Sequence, residues 1–198
     1  MTTLKPNHLT LGRIALALLF GVCLANPGGV SLGVAVAVAA GAFVSDLLDG
    51  YLARATNQVS AFGICFDPIA DKIFNLGAFA MLLKAPGVDL PVFPFLLMII
   101  REVGISGVRV LVLSSRRTLI PAERFGKAKS ALQFILIFTL TLGLWARQAG
   151  SAEILEWCLR PPFPAAAFWA VALVTFASSW VHLWRHRQAL REAWDSRT

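Results

Sequence analysis

Asp46-Leu47-Leu48-Asp49-Gly50-Tyr51-Leu52-Ala53-Arg54, followed after residues 55–62 by Gly63-Ile64-Cys65-Phe66-Asp67-Pro68-Ile69-Ala70-Asp71, decides how this chain reads. The stretch gathers four aspartates in a chain of 198 residues that is 57% hydrophobic and 15% charged. Globular domains average about 25% charged. With a mean hydropathy of +0.69, the composition points to an integral membrane protein. An ionised carboxylate in hydrocarbon is costly and needs a partner or a job. Only Arg54 and Lys72 stand beside these acids. Protein side chains therefore cannot pair all four, and a divalent cation compensates them at least cost.

The spacing says the same. Asp49, Gly50 and Ala53 lie three, four and seven residues after Asp46, which on a helix is one face. That face carries two carboxylates and two small residues, so another group can approach the backbone. Asp67 and Asp71 are four apart and share a face as well. Thr56, Asn57, Gln58 and Ser60 make the intervening segment polar enough for a surface turn. The two helices can then return antiparallel with their acidic faces opposed, and Gly63 permits close packing. Carboxylate ligands suit hard divalent ions, Mg²⁺ or Mn²⁺, which also take phosphate oxygens. Two such ions can clamp both sides of a phosphoryl transfer. Singly, the acids have blander readings: Asp67 before Pro68 is a good helix cap, and Asp49-Gly50 alone would be a common turn.

Outward from this stretch, six apolar segments are read at about 10–25, 31–53, 67–83, 92–113, 128–145 and 163–184. The first stops at Asn26-Pro27-Gly28-Gly29 and the third at Ala85-Pro86-Gly87. Cys23-Leu24-Ala25 resembles a signal-peptide cleavage site, but Arg13 interrupts the charge-free core such a peptide needs. The expected fold is all-α: a polytopic membrane protein with six transmembrane helices and both termini cytoplasmic. Residues 1–198 read as one domain, because no linker or repeat suggests a second.

With that topology, all 18 lysines and arginines except Lys84, Arg147 and Arg160 fall towards the inner side, as the positive-inside rule requires. The net charge of +7 then reflects loops beside anionic lipid rather than nucleic-acid binding. Cys23, Cys65 and Cys158 show no ligand spacing, and Cys65 reads as a small apolar filler. His8, His182 and His186 sit near helix ends. Trp169, Trp180, Trp184 and Trp194 read as membrane anchors or packing.

The order Asp-x2-Asp-Gly-x2-Ala-Arg-x8-Gly-x3-Asp-x3-Asp resembles the signature of the CDP-alcohol phosphatidyltransferases, and every fixed position is present. Further stretches are similar to one branch, the bacterial phosphatidylglycerophosphate synthases. They are Pro6-Asn7-His8-Leu9-Thr10-Leu11-Gly12-Arg13, Asp67 to Lys72, Arg101-Glu102 with Arg109, and Gly126-Lys127-Ala128-Lys129-Ser130 with Gln133. Ser130 replaces a threonine of the pattern and keeps its hydroxyl. The likeness covers roughly residues 5–133. Residues 147–162 and the sixth helix carry no recognisable motif, and that loop is expected on the outside.

The resemblance implies a homodimer in the bacterial cytoplasmic (inner) membrane, with its site open to the cytoplasm. It implies two ions on Asp46, Asp49, Asp67 and Asp71, with Asp71 as general base. Asn7, Thr10, Gly50, Ala53, Arg54 and Gly63 match donor-binding positions for CDP-diacylglycerol. Arg54 suits its pyrophosphate, since guanidinium meets phosphate oxygens bidentately. Arg101, Arg109, Lys127 and Lys129 form a separate basic group that suits an acceptor carrying its own phosphate, glycerol 3-phosphate. Glu102 reads as a counter-ion that orients an arginine.

The implied activity is transfer of the phosphatidyl group from CDP-diacylglycerol to glycerol 3-phosphate, releasing CMP. Sister enzymes using phosphatidylglycerol, inositol phosphate or serine are the near alternative. A divalent-cation transporter is the remote one, since acids in membrane helices also line ion paths.

Overall fold

The computed structural model describes residues 6–56, 61–116, 124–150, 156–185 and 187, with side chains over 12–45, 72–108, 129–150, 156–180, 184 and 187. The described residues form six long helices and no strand. They are α1 (Pro6–Ala25), α2 (Gly29–Thr56), α3 (Ala61–Leu82), α4 (Val92–Arg116), α5 (Arg124–Ala149) and α6 (Phe163–Arg185), with a single 3-10 turn, Trp157–Leu159, before α6. Within the described residues, Lys129–Ala149 and Phe163–Trp180 are long and apolar enough to cross a membrane.

The helix ends follow local chemistry. After α1, the Ser31 hydroxyl accepts the Gly28 N–H at 2.9 Å and lies 2.6 Å from the Asn26 carbonyl, which stitches the α1–α2 corner. After α3, the chain turns at Gly87, whose φ of +84° is open to glycine. Gly150, at φ +63°, ends α5 in the same left-handed conformation.

One boundary departs from expectation. The third helix begins at Ala61, not at Asp67. The apolar run Ala61-Phe62-Gly63-Ile64-Cys65-Phe66 continues the helix upstream, so Asp67 is an interior residue and its reading as a cap is overturned. Pro68 then lies inside α3, a placement membrane helices tolerate better than soluble ones. Of the segment read as a surface turn, residues 55–56 and 61–62 are helical and residues 57–60 lie outside the described residues. The loop before α6 also differs from a simple outer connection. Its 3-10 turn buries Cys158 and Leu159 against α5 and α6, and burial pushes the Cys158 thiol up from its ordinary pKa.

Packing rests on phenylalanines and small residues. Phe74 of α3 stands between Phe20 of α1 and Phe134 of α5, with ring centroids 5.7 Å away in each case. Phe43 of α2 meets Phe134 at 5.6 Å, and Phe79 of α3 meets Phe168 of α6 at 4.9 Å. Such pairs contribute about 0.5–1.5 kcal/mol each beyond their buried area. Ala35, Ala39 and Ala42 of α2 are buried. Their small side chains let neighbouring backbones come close, which is how helices associate where no hydrophobic drive separates them from lipid. Gly33 faces the Trp145 indole, where an added Cβ would sit 3.2 Å from Nε1. Among the described residues, α2 packs chiefly on α1 and α5, and α3 on α1, α4 and α5. The two acid-bearing helices are thus held through α1 and α5, which both touch.

At the α3–α4 connection, the Arg147 guanidinium covers Gly87 and its Nη1 lies 3.5 Å from the Gly87 carbonyl. A Cβ at Gly87 would be strained by the backbone and would displace that guanidinium. Gly87→Ala is expected to lower stability by about 1–2 kcal/mol, read as a reduced thermal midpoint of the detergent-purified protein.

Candidate functional site

α4 reverses the pattern of a water-soluble helix. Arg101 and Glu102 are buried, Glu102 to 3% exposure, while the flanking Ile100 and Val103 are 65% and 63% exposed. A buried charge is tolerated only when paired and hydrogen-bonded. This requirement is met by cations from three helices converging on one carboxylate.

Glu102 Oε1 accepts from Arg101 Nη1 at 2.8 Å and from Lys129 Nζ of α5. Glu102 Oε2 makes no hydrogen bond and lies 3.3 Å from Lys72 Nζ of α3, a charge contact without hydrogen-bond geometry. Lys72 directs its protons elsewhere, to the Glu102 carbonyl at 2.9 Å and to the Ser106 hydroxyl. Ser106 in turn donates to the Glu102 carbonyl at 2.8 Å. One residue thus receives Lys72 on both its side chain and its backbone.

Arg101 spends its fork on α6. Its Nη2 donates to Ser178 Oγ at 3.0 Å and its Nε to Ser179 Oγ. Both hydroxyls donate to the Thr175 carbonyl, at 2.7 and 3.1 Å, which leaves their lone pairs turned to the guanidinium. A second polar line runs one turn further into the bundle. Asn75 Nδ2 of α3 donates to Gln133 Oε1 of α5 at 3.1 Å, and Gln133 Nε2 reaches Thr175 Oγ1 of α6 at 3.4 Å. Lys72 and Asn75 are three apart on α3, and Lys129 and Gln133 four apart on α5. Each helix therefore supplies one residue to each line from a single face.

The sequence-predicted residues fall into two groups. Arg101 and Lys129 are brought together by Glu102. The others are located by helix only, their side chains lying outside the described residues. Asn7 and Thr10 are on the first turns of α1, and Asp46, Asp49, Gly50, Ala53 and Arg54 on the last turns of α2. Gly63, Asp67 and Asp71 are on the first half of α3, Arg109 on the second half of α4, and Lys127 on the first turn of α5. Asp71 immediately precedes Lys72, so the acid-bearing part of α3 adjoins the buried cluster along the chain. Glu102 was legible as a counter-ion to arginine, and Arg101 is one of its partners. Its two lysine partners were not legible as such. Asn75, Thr175, Ser178 and Ser179 gave no signal beyond being polar in apolar helices.

The sequence of the chain is similar to known proteins. The family described as CDP-alcohol phosphatidyltransferase matches residues 3–177, well past the motif-bearing part and through most of α6. The chain is 32% identical over 199 residues to the CDP-diacylglycerol–glycerol-3-phosphate 3-phosphatidyltransferase of Bacillus subtilis, covering 94% of this chain and 96% of that one. It is 37% identical over 140 residues to the protein of that name from Rickettsia felis, covering 70% and 75%. The Mycoplasma pneumoniae protein of that name is 32% identical over 178 residues, covering 86% and 76%.

The Asn75–Gln133–Thr175 line is open to a direct energetic test. Asn75→Leu and Gln133→Leu should each cost about 1–3 kcal/mol by leaving a buried amide unpaired. The double variant should cost clearly less than the sum, measured by thermal unfolding in detergent as a double-mutant cycle. Strict additivity would mean that the two amides do not interact.

Proposed function

The chain belongs to the CDP-alcohol phosphatidyltransferase family, and from that footing we propose that it transfers the phosphatidyl group of CDP-diacylglycerol to glycerol 3-phosphate. The observation that carries this reading is similarity over nearly the whole chain to the Bacillus subtilis enzyme of that name, joined to an acidic signature with every fixed position filled. The products are phosphatidylglycerophosphate and CMP.

The four aspartates make a donor set of hard oxygen ligands, which fits Mg²⁺ or Mn²⁺ and not a soft metal. Asp46 and Asp49 at the end of α2, with Asp67 and Asp71 in α3, would hold two ions. Such ions, if bound there, would supply positive charge to the phosphate being transferred and to departing CMP. The 1-hydroxyl of glycerol 3-phosphate attacks the phosphorus bonded to diacylglycerol. Its proton passes to the Asp71 carboxylate as the new P–O bond forms, and the bond from that phosphorus to CMP breaks.

Arg54 grips the donor pyrophosphate. Gly50, Ala53 and Gly63 let the CDP group come close to the backbone, and Asn7 and Thr10 complete that side. Lys129, Lys127 and Arg109 receive the acceptor's own phosphate. Arg101, with three N–H groups directed at Glu102, Ser178 and Ser179, serves that side through its charge and through the residues it holds.

The setting is a membrane. The exposed apolar side chains around the buried charge of α4 suit lipid and not water. We place all six helices across the bacterial inner membrane as one domain, with both termini and the acid motif at the cytoplasmic face and a homodimer as the assembly. Family membership leaves the transporter reading without support.

Purified protein supplied with CDP-diacylglycerol and Mg²⁺ should release CMP with glycerol 3-phosphate, and not with phosphatidylglycerol, serine or inositol phosphate. Chelation should stop the release. Asp71→Asn should lower kcat at least about a hundredfold, the scale of a lost general base. Turnover with a different acceptor would overturn the assignment of the basic group, and near-normal turnover of the Asp71 variant would remove that residue from proton transfer.

A further inference from the structure

Glu102 collects Lys72, Arg101 and Lys129 from α3, α4 and α5. Its burial is almost complete. Here a single anion is shared by three cations. Lys72 follows Asp71 directly on α3, and Lys129 stands in the basic group on α5. The same carboxylate therefore touches the helix that carries the acids and the helix that carries the basic residues.

We propose that Glu102 is a positioning residue for the acceptor: it holds the Lys129 ammonium and fixes α5 against α3, setting where the acceptor phosphate docks relative to Asp71. This rests on the reaction proposed above. The physical basis is geometric. Lys129 has a long, flexible side chain with rotamer freedom to lose on ordering. Anchored on Glu102 Oε1, it presents its remaining N–H groups from a fixed point. Arg101 on that same oxygen, itself tied to Ser178 and Ser179, stops the carboxylate from following the lysine away. Lys72 on Oε2 closes the arrangement on the α3 side. Phosphate binding then meets an ordered ammonium, and preorganisation of this kind acts on affinity for the group that is bound.

Two other outcomes are physically distinct. A carboxylate that merely stabilised the bundle would change folding and leave both Michaelis constants alone. A carboxylate that chiefly repelled the acceptor's phosphate would, once neutralised, make glycerol 3-phosphate bind better. The three cases therefore differ in sign and in which substrate responds.

The test uses the full-length protein in detergent as wild type, Glu102→Gln and Glu102→Asp. CMP release is followed against each substrate with the other saturating, and thermal midpoints are recorded in parallel. Glu102→Gln is expected to raise KM for glycerol 3-phosphate about tenfold or more, the scale of lost outer-sphere support, while KM for CDP-diacylglycerol stays within about twofold. Glu102→Asp, which keeps the charge but shortens the reach, should show the same split at smaller size. Equal KM values in the variants and wild type, with rates following only the folded fraction, would overturn the proposal. A lower KM for glycerol 3-phosphate in Glu102→Gln would overturn it in the opposite sense. Should Glu102→Gln fail to fold, the split in Glu102→Asp alone decides. If the wild type releases no CMP with glycerol 3-phosphate, the reaction itself is wrong. The positioning role is then judged by stabilisation of each protein with inorganic phosphate, where weaker stabilisation of the variants upholds it and equal stabilisation overturns it.

Discussion

A carboxylate taken out of water must have its charge answered where it stands, and Glu102 is the place where this bundle answers one. Desolvating an ion costs several kcal/mol even after relaxation. Lys72, Arg101 and Lys129 offset that cost together, the two lysines each from its own helical register. A one-residue rotation of α3 or α5 would carry a lysine about 100° away. The cluster therefore specifies register more sharply than apolar packing does, because phenylalanines and alanines tolerate small slips. The amide line from Asn75 through Gln133 to Thr175 repeats the constraint one turn along, on the same helices.

Two kinds of contact hold the molecule together. Phe20, Phe43, Phe74 and Phe134 bind α1, α2, α3 and α5 through rings in contact. Polar side chains bind α3, α4, α5 and α6. Among the described residues, α3 and α5 take part in both, and α6 joins them through the Phe79–Phe168 pair. α3 also carries Asp67 and Asp71, and α5 carries Lys127 and Lys129. Two helices that take part in both kinds of internal bonding thus carry residues assigned to the two substrates. A site that must hold two charged reactants in register gains from standing on the stiffest elements.

Much of this was legible in the sequence. The acid signature fixed the family because metal and phosphate chemistry demands particular residues at particular spacings, and helical periodicity shows such spacings directly. Pro27-Gly28 and Pro86-Gly87 punctuated the apolar runs correctly. What was not legible had a common cause. Asp67-Pro68 looked like a helix start from local chemistry, yet the apolar residues before it extended α3, so the tertiary setting outweighed the local signal. Ser178, Ser179, Thr175 and Asn75 are single polar residues in apolar helices, and nothing in a helix's own sequence names a partner on another helix. Arg101 was read as an acceptor-binding residue but not as bonded to α6, because its serine partners lie more than seventy residues along the chain. The 3-10 turn at Trp157–Leu159 escaped for a similar reason, since its burial depends on α5 and α6.

The buried charge of α4 also bears on how the chain enters its membrane. A lone helix carrying Arg101 and Glu102 near its middle is a poor passenger, since each charge at the centre of a span costs roughly 2.5–3.5 kcal/mol on insertion scales. Synthesis delivers α3 first, with Lys72 already placed to meet Glu102 on its side chain and its carbonyl. On the proposed six-span topology, the α3–α4 pair would enter as a hairpin with its acid half-neutralised, whereas Arg101 has no serines to meet until α6 has been made. The same bonds that hold the finished bundle in register give its assembly an order, in which α4 is admitted by the helix before it and settled by the two that follow.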